Sequence, residues 1–312
     1  MKIELSDLIY KVLTVEGDLP SSVSRKISGF YNDIDEFLNC TYNQLKNLKT
    51  VSGRPIELEE QHIRSILNVT SSGVISSSSS VIDNYIRVIS MEFTKKQIAT
   101  IKAISLSKLN VNPLLVRSLN LKTPLEMLEF NIYAAVSRSI VTSMGYFVQN
   151  LLSVSSESVE KVQSGWDIVK HDHNGLNHFI QVKSGPNDMD KDQILYWLGK
   201  ILEAESNGNK GYIGITYGKR ENNTVSLSLM RTYLPDMEVR TLVGRELWDF
   251  LTDDPHFHER LFDNLRASAA RILGIRSIEE EIRDCIKNVH EEFKELYGDG
   301  SNGLESYLSS IF

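Results

Sequence analysis

Apolar residues recur every three or four positions along most of this chain. Leu5, Leu8, Ile9 and Val12 form one such stripe, and Ile82, Tyr85, Ile86 and Ile89 another. That spacing puts each set on one face of a helix, so residues 1–120 read as mainly helical. Residues 70–80 interrupt the pattern with seven serines, a threonine and a glycine in eleven positions. Such a stretch cannot build a core and predicts an exposed loop. The clearest helix opens at Thr123-Pro124-Leu125-Glu126. Thr123 suits the N-cap, Pro124 the first helical position, and Glu126 closes a capping box. The helix carries Leu128, Ala135 and Ile140 and is expected to stop at Gly145, a natural left-handed cap. Residues 146–148 then read as a strand or as an extension of the same helix.

Beyond that helix the period changes. Residues 166–169 and 178–182 read as strands, joined by the turn chemistry of Asp172-His173-Asn174-Gly175 into a hairpin. Residues 190–206 are helical, and 211–217 (GYIGITY) form a short β-branched run suited to a buried strand. Residues 224–230 alternate as a further strand. A helix starts in 243–251, Pro255 breaks it, and helix continues to Tyr297 before a Gly-rich loop and the tail. The order predicts an α/β (α+β) fold, a mixed central sheet flanked by helices with a helical N-terminal region. The implied division is 1–120 for that region, 121–255 for the core and 256–312 for C-terminal helices. No internal repeat is visible.

Composition narrows the class. The 312 residues are 41% hydrophobic and 24% charged, ordinary for a folded globular chain. No apolar run reaches the ~20 residues of a membrane helix, and the acidic start MKIELSDLIYKVL lacks the features of a secretory signal. Cys40 and Cys285 stand far apart in sequence and form no zinc pattern, which favours a reduced, cytoplasmic chain. The net charge of −7 argues mildly against non-specific nucleic-acid binding. Distribution matters more than the sum: runs such as Glu279-Glu280-Glu281 make the C-terminal third acidic, while residues 95–122 are basic. Lys95, Lys96, Lys102, Lys108 and Arg117 suit phosphate contacts, although solvated helix lysines are the commoner outcome.

The chemistry gathers in the hairpin. Asp167 supplies a charged oxygen and Gln181 a neutral one, and the Val182 carbonyl offers another. Strand alternation points Gln181 and Lys183 to one face and sends the Val182 side chain to the core. The set suits Mg2+, which prefers oxygen ligands and keeps several waters. Lys183 could orient an attacking water and stabilise charge on a phosphate. Ser184-Gly185-Pro186-Asn187 follows as a loop that can lie close to phosphate, with Ser184 and Asn187 as candidate DNA contacts. Three loosely spaced residues also occur by chance, so on spacing alone an exposed strand edge is the commoner outcome. His171, His173 and His178 read as solvent-facing turn residues, and Tyr196, Trp197 and Trp248 as packing residues.

The run GWDIVKHDHNGLNHFIQVKSGPNDMDKDQ, residues 165–193, resembles the catalytic core of type II restriction endonucleases of the PD-(D/E)xK superfamily, and within it the EcoO109I-like group. Asn112-Pro113-Leu114-Leu115, the stretch from Ser137 to Gly145 with Gln149 just beyond, and Gly244-Arg245-Glu246-Leu247-Trp248-Asp249-Phe250-Leu251 resemble other segments of that group in the same order. The likeness covers about residues 110–255. It implies Asp167, Gln181 and Lys183 as catalytic residues, in a QxK variant where the middle position is usually acidic. A compensating acid is then expected, and Glu129 is the candidate, with an exposed helix glutamate as the equal alternative. The resemblance further implies Mg2+, double-stranded DNA as substrate, a homodimer on a palindromic site, and a cognate DNA methyltransferase in the same defence system. The rival reading is a catalytically weak or inactive DNA-binding protein on the same fold. A helical interaction protein without a nucleic-acid role is the third.

Overall fold

The computed structural model describes residues 3–50, 52–156, 158–161 and 165–312. The chain forms two compact units, each made of two sequence segments. The first comprises Met1–Met91 and Gly145–Ser268, the second Glu92–Met144 and Ala269–Phe312. Among the described residues no helix is long and apolar enough to cross a membrane. Cys40 and Cys285 are both free and buried.

The first unit holds a five-stranded mixed sheet in the order β1 (Val159–Lys161), β2 (Ile168–His171), β3 (Asn177–Lys183), β4 (Lys210–Ile215) and β5 (Thr241–Val243). The first three strands pair antiparallel and the last three parallel. The expected hairpin is β2–β3, with Ile168 opposite Ile180 and His171 opposite Asn177. Its turn is closed by Asp172, whose Oδ1 accepts the Asn174 and Leu176 amides, and by Gly175 at φ +79°. The helix Lys191–Ser206 makes the crossover from β3 to β4, capped by Asp190 Oδ1 accepting the Gln193 amide at 2.9 Å.

Two glycines of β4 let helices approach both faces of the sheet. A Cβ on Gly211 would lie 2.9 Å from Ile201 Cα, on the crossover helix. A Cβ on Gly214 would lie 2.9 Å from Ile180 and Leu247, the latter on the helix Arg245–Thr252. A side chain at either place would push a layer outward, which is why the buried strand carries glycine there. Trp166, Trp197, Ile201, Ile213 and Leu227 belong to the core of one layer. Trp248 is buried as expected and donates its indole N–H to the Thr216 carbonyl at 2.9 Å. Tyr196 departs from its packing expectation and is exposed, because it lies a step round the helix from buried Trp197.

Several sequence expectations are corrected. Residues 224–230 are not a strand but lie at the start of the helix Val225–Tyr233. Thr224 accepts the Leu227 amide as its N-cap, and Leu227 and Met230 fall three apart on the buried face. The long helix does not stop at Gly145; it runs Pro124–Val154, and residues 146–148 extend it. A mid-helix glycine costs only about 1 kcal/mol against alanine, and buried Phe147, Val148, Leu151 and Leu152 continue the helical stripe beyond it. The serine-rich stretch is not wholly exposed either. Val74 and Ile75 are buried within it, and buried Asn84 ties it down by accepting the Ser76 amide and donating to the Ser76 and Ser79 carbonyls. The helix expected in 243–251 starts two residues later, after the short strand β5. The C-terminal tail is also helical, over Gly300–Ile311.

The second unit is helical. Its core joins Met127, Leu128, Ile132 and Val136 of the long helix to Ile282, Ile286, Val289 and Phe293 of the helix Ile278–Tyr297. The capping box is present, with the Glu126 amide donating to Thr123 Oγ1 at 3.2 Å and the Thr123 amide donating to Glu126 Oε2 at 3.1 Å.

Gly244 joins β5 to the helix Arg245–Thr252 at φ 58°, ψ −123°, a region open essentially to glycine. A Cβ there would lie 2.3 Å from the Gly218 carbonyl oxygen. Gly244→Ala is therefore expected to destabilise the protein by about 1–3 kcal/mol, read as a lower urea midpoint. Gly29→Ala, where nothing lies within 4 Å of the added methyl, is expected to leave it nearly unchanged.

Candidate active site

β2 begins at Ile168, one residue after Asp167, and the chain enters it through Gly165 at φ +91° and buried Trp166. The Asp167 amide still donates to the Ile180 carbonyl at 3.2 Å. The next rung of the ladder is not made by backbone. The Val182 amide donates instead to Asp167 Oδ2 at 2.7 Å. A carboxylate thus replaces a missing strand residue, and the Val182 carbonyl, which alternation turns toward β2, faces the same space.

Gln181 fills that space. Its Nε2 donates to Asp167 Oδ2 at 2.5 Å and to the Val182 carbonyl at 3.3 Å. One nitrogen therefore sits where two oxygens of different residues converge, one anionic and one neutral. Those are donors of the kind a hard cation takes, and a side-chain rotation that withdraws Nε2 and presents Oε1 would add a third. The residues fit Mg2+ by this test. Among the described residues no group of three or more His, Cys, Asp or Glu stands together to hold a metal. A cation at this place would rest on one carboxylate and neutral oxygens.

Asp167 lies in an environment that favours neutralisation. Burial pushes its carboxyl above the usual carboxylate range, and the Val182 N–H and the Lys183 ammonium pull it back without cancelling the shift. Lys183 ends β3 on the same face as Gln181, half-buried. Its own carbonyl accepts the Thr216 amide at 3.1 Å, fixing the strand end beside β4. Among the described residues no hydrogen bond or ion pair engages the Lys183 ammonium. The third group on Asp167 comes from the long helix: Gln149 Nε2 donates to Oδ1 at 3.1 Å. In the sequence Gln149 stands just beyond the resembling segment, but the expected helix stop at Gly145 takes it off the helix and away from Asp167. The signal that finds it is the apolar stripe from Phe147 to Leu152.

Side-chain hydrogen bonds hold the loop after Lys183. Ser184 donates its hydroxyl to Asp188 Oδ2 at 2.8 Å, and exposed Asn187 accepts the Val225 amide on Oδ1 at 3.2 Å. Gly185 lies under Tyr217, whose hydroxyl would stand 2.6 Å from a Cβ placed there. Tyr217 itself is 62% exposed at the end of β4. Glu129 is an exposed residue of the second unit. His171 and His173 are exposed as expected, but His178 is not. It packs between Tyr212 and Phe250 and faces Asp172 Oδ2 at 3.6 Å. Of the basic residues considered for DNA, Lys96, Lys102 and Arg117 pair with Glu92, Glu281 and Glu305.

The family model of the type II restriction endonuclease EcoO109I matches residues 80–272. The chain belongs to that family. No curated protein matches it. The matched span of this EcoO109I-family chain contains the whole sheet, with Asp167, Gln181, Lys183 and Gln149. Its mixed five-stranded sheet flanked by helices agrees with the PD-(D/E)xK nuclease fold.

The hydrogen bonds at Asp167 predict a stability effect separate from any chemistry. Asp167→Ala leaves the Val182 N–H and the two glutamine amides without their acceptor, and is expected to cost about 1–3 kcal/mol. Asp167→Asn keeps one acceptor oxygen and should cost less. Urea unfolding of the two variants beside the wild-type chain gives the comparison.

Proposed function

We propose that this chain is a Mg2+-dependent restriction endonuclease that hydrolyses double-stranded DNA at a specific site. The observation that carries the reading is the convergence of Asp167 Oδ2 and the Val182 carbonyl on the single position now held by Gln181 Nε2. Asp167, Gln181 and the Val182 carbonyl would hold the ion. When bound, Mg2+ would supply charge stabilisation to the phosphate and lower the pKa of water.

The rest is the work of the chain itself. Lys183, on the same strand face as Gln181, orients the attacking water and offsets negative charge at phosphorus. Attack is in line, and the 3′-oxygen leaves. The Ser184 hydroxyl and the Asn187 amide donate to the scissile or an adjacent phosphate from the loop that follows. Two copies, related by a twofold axis matching that of a palindromic site, would cut one strand each. The helical N-terminal region and the C-terminal helices would serve dimerisation and DNA contact. The biological setting is cytoplasmic defence, with a cognate methyltransferase protecting host DNA.

Gln181 in the usual acid position also motivates a second reading, a catalytically weak or inactive DNA-binding protein. Incubation with supercoiled plasmids of varied sequence, with and without Mg2+, separates the two. The nuclease reading predicts discrete Mg2+-dependent fragments. Lys183→Ala is expected to lower the rate at least ~100-fold while DNA binding in Ca2+ stays within a few-fold. Equal behaviour of Lys183→Ala and wild type contradicts it. Glu129→Gln in the same assay tests the proposed compensating acid: a lower rate keeps Glu129 in the set, and an unchanged rate removes it.

Gln181→Glu restores a negative oxygen. It should bind Mn2+ at least as tightly as wild type by calorimetry. Without metal the new carboxylate meets Asp167 directly, so its melting temperature should fall and then recover as Mn2+ is added.

A further inference from the structure

Asp167 is held on both of its oxygens, and the two sides differ in kind. Oδ2 belongs to the strand pair, where it takes the Val182 N–H at 2.7 Å and the Gln181 amide at 2.5 Å. Oδ1 belongs to the helix, where it takes Gln149 Nε2 at 3.1 Å. The helix around Gln149 is anchored: Phe147, Val148, Leu151 and Leu152 are buried, and Asn150 Oδ1 accepts from Lys161 Nζ of β1 at 2.6 Å. Gln149 is therefore presented to the carboxylate from a fixed base.

We propose that Gln149 is a positioning residue for the reaction, a neutral donor that sets the rotation of the Asp167 carboxylate. This rests on the nuclease reading above. With Oδ1 held, Oδ2 and the Val182 carbonyl already point into one space, and only the Gln181 side chain has to move when a cation enters. Partners that orient metal ligands in this way typically change metal affinity 10–100-fold when removed. The choice of amide over acid also sets the charge. Gln149 and Gln181 surround Asp167 with two carboxamides, so the hydrogen-bonded set carries one formal negative charge. Such a set holds a divalent cation loosely until a phosphate adds its own oxygens. A glutamate at position 149 would place a second anion against Asp167: a repulsion without metal and an added attraction with it.

The test uses the full chain and Mn2+ alone, with free Mn2+ followed by electron paramagnetic resonance and folding by thermal melting. Gln149→Met removes the donor at nearly constant volume. It is expected to weaken Mn2+ binding roughly ten-fold or more with a melting temperature close to wild type. Gln149→Glu is expected to melt lower than wild type without metal, to recover with Mn2+, and to bind Mn2+ at least as tightly. If Gln149→Met does not fold, Gln149→Asn, the same amide on a shorter stem, takes its place with the same expected loss. Mn2+ binding within two-fold of wild type in a folded Met or Asn variant overturns the proposal. So does a Glu variant that binds Mn2+ more weakly than wild type. A wild-type chain that binds no Mn2+ and cuts no plasmid fails earlier, at the nuclease reading, and removes this proposal with it.

Discussion

The hydrogen bond from the Val182 amide to the Asp167 carboxylate is the constraint on which the site depends. β2 begins only at Ile168, opposite Ile180, while β3 runs on to Lys183, and a side-chain oxygen of Asp167 takes the Val182 amide in the gap. A backbone N–H at the end of a half-buried strand needs a partner, and a carboxylate is a strong one. Meeting that need fixes the acid beside the Val182 carbonyl and the Gln181 side chain. Structural satisfaction and the convergence of oxygens are one arrangement seen from two sides.

The same arrangement buries the acid. Burial raises its proton affinity, and the nearby Lys183 ammonium and the Val182 N–H only partly oppose this. The neutral amides around it supply hydrogen bonds without a full charge. A divalent cation between Asp167 Oδ2 and the Val182 carbonyl would supply that charge once Gln181 Nε2 is withdrawn, beside the Lys183 ammonium that already acts on Asp167. The sheet gives the scaffold its stiffness: glycines at 211 and 214 allow a helix close on each face of β4, and Thr216 pins the end of β3 through the Lys183 carbonyl.

Much of this was legible in the sequence because it is local. The β2–β3 hairpin follows from two β-branched runs around Asp172-His173-Asn174-Gly175, and alternation alone puts Gln181 and Lys183 on one face with Val182 inward. Asp190 and Thr123 announce their helices by capping chemistry. The failures have tertiary causes. Gly145 looks like a stop, but the apolar stripe beyond it is buried and carries the helix onward to Gln149. Val-Ser-Leu-Ser-Leu after Thr224 alternates like a strand, yet the Thr224 cap and the burial of Leu227 and Met230 select a helix. Short strands such as β5 lack the length to show a period. The division into two units, each from two segments, has no local signature, since it depends on which helices pack together.

The central claim is that one cation site is formed by Asp167 Oδ2, the Val182 carbonyl and a turned Gln181 carboxamide. Crystals grown in Mn2+ and measured at the manganese absorption edge test it most directly. The account predicts an anomalous peak at coordination distance from those two oxygens, with Gln181 Oε1 facing it and the Nε2 bridge gone. A peak at a different place, or none while Gln181 still bridges Asp167 and Val182 at saturating Mn2+, would contradict it.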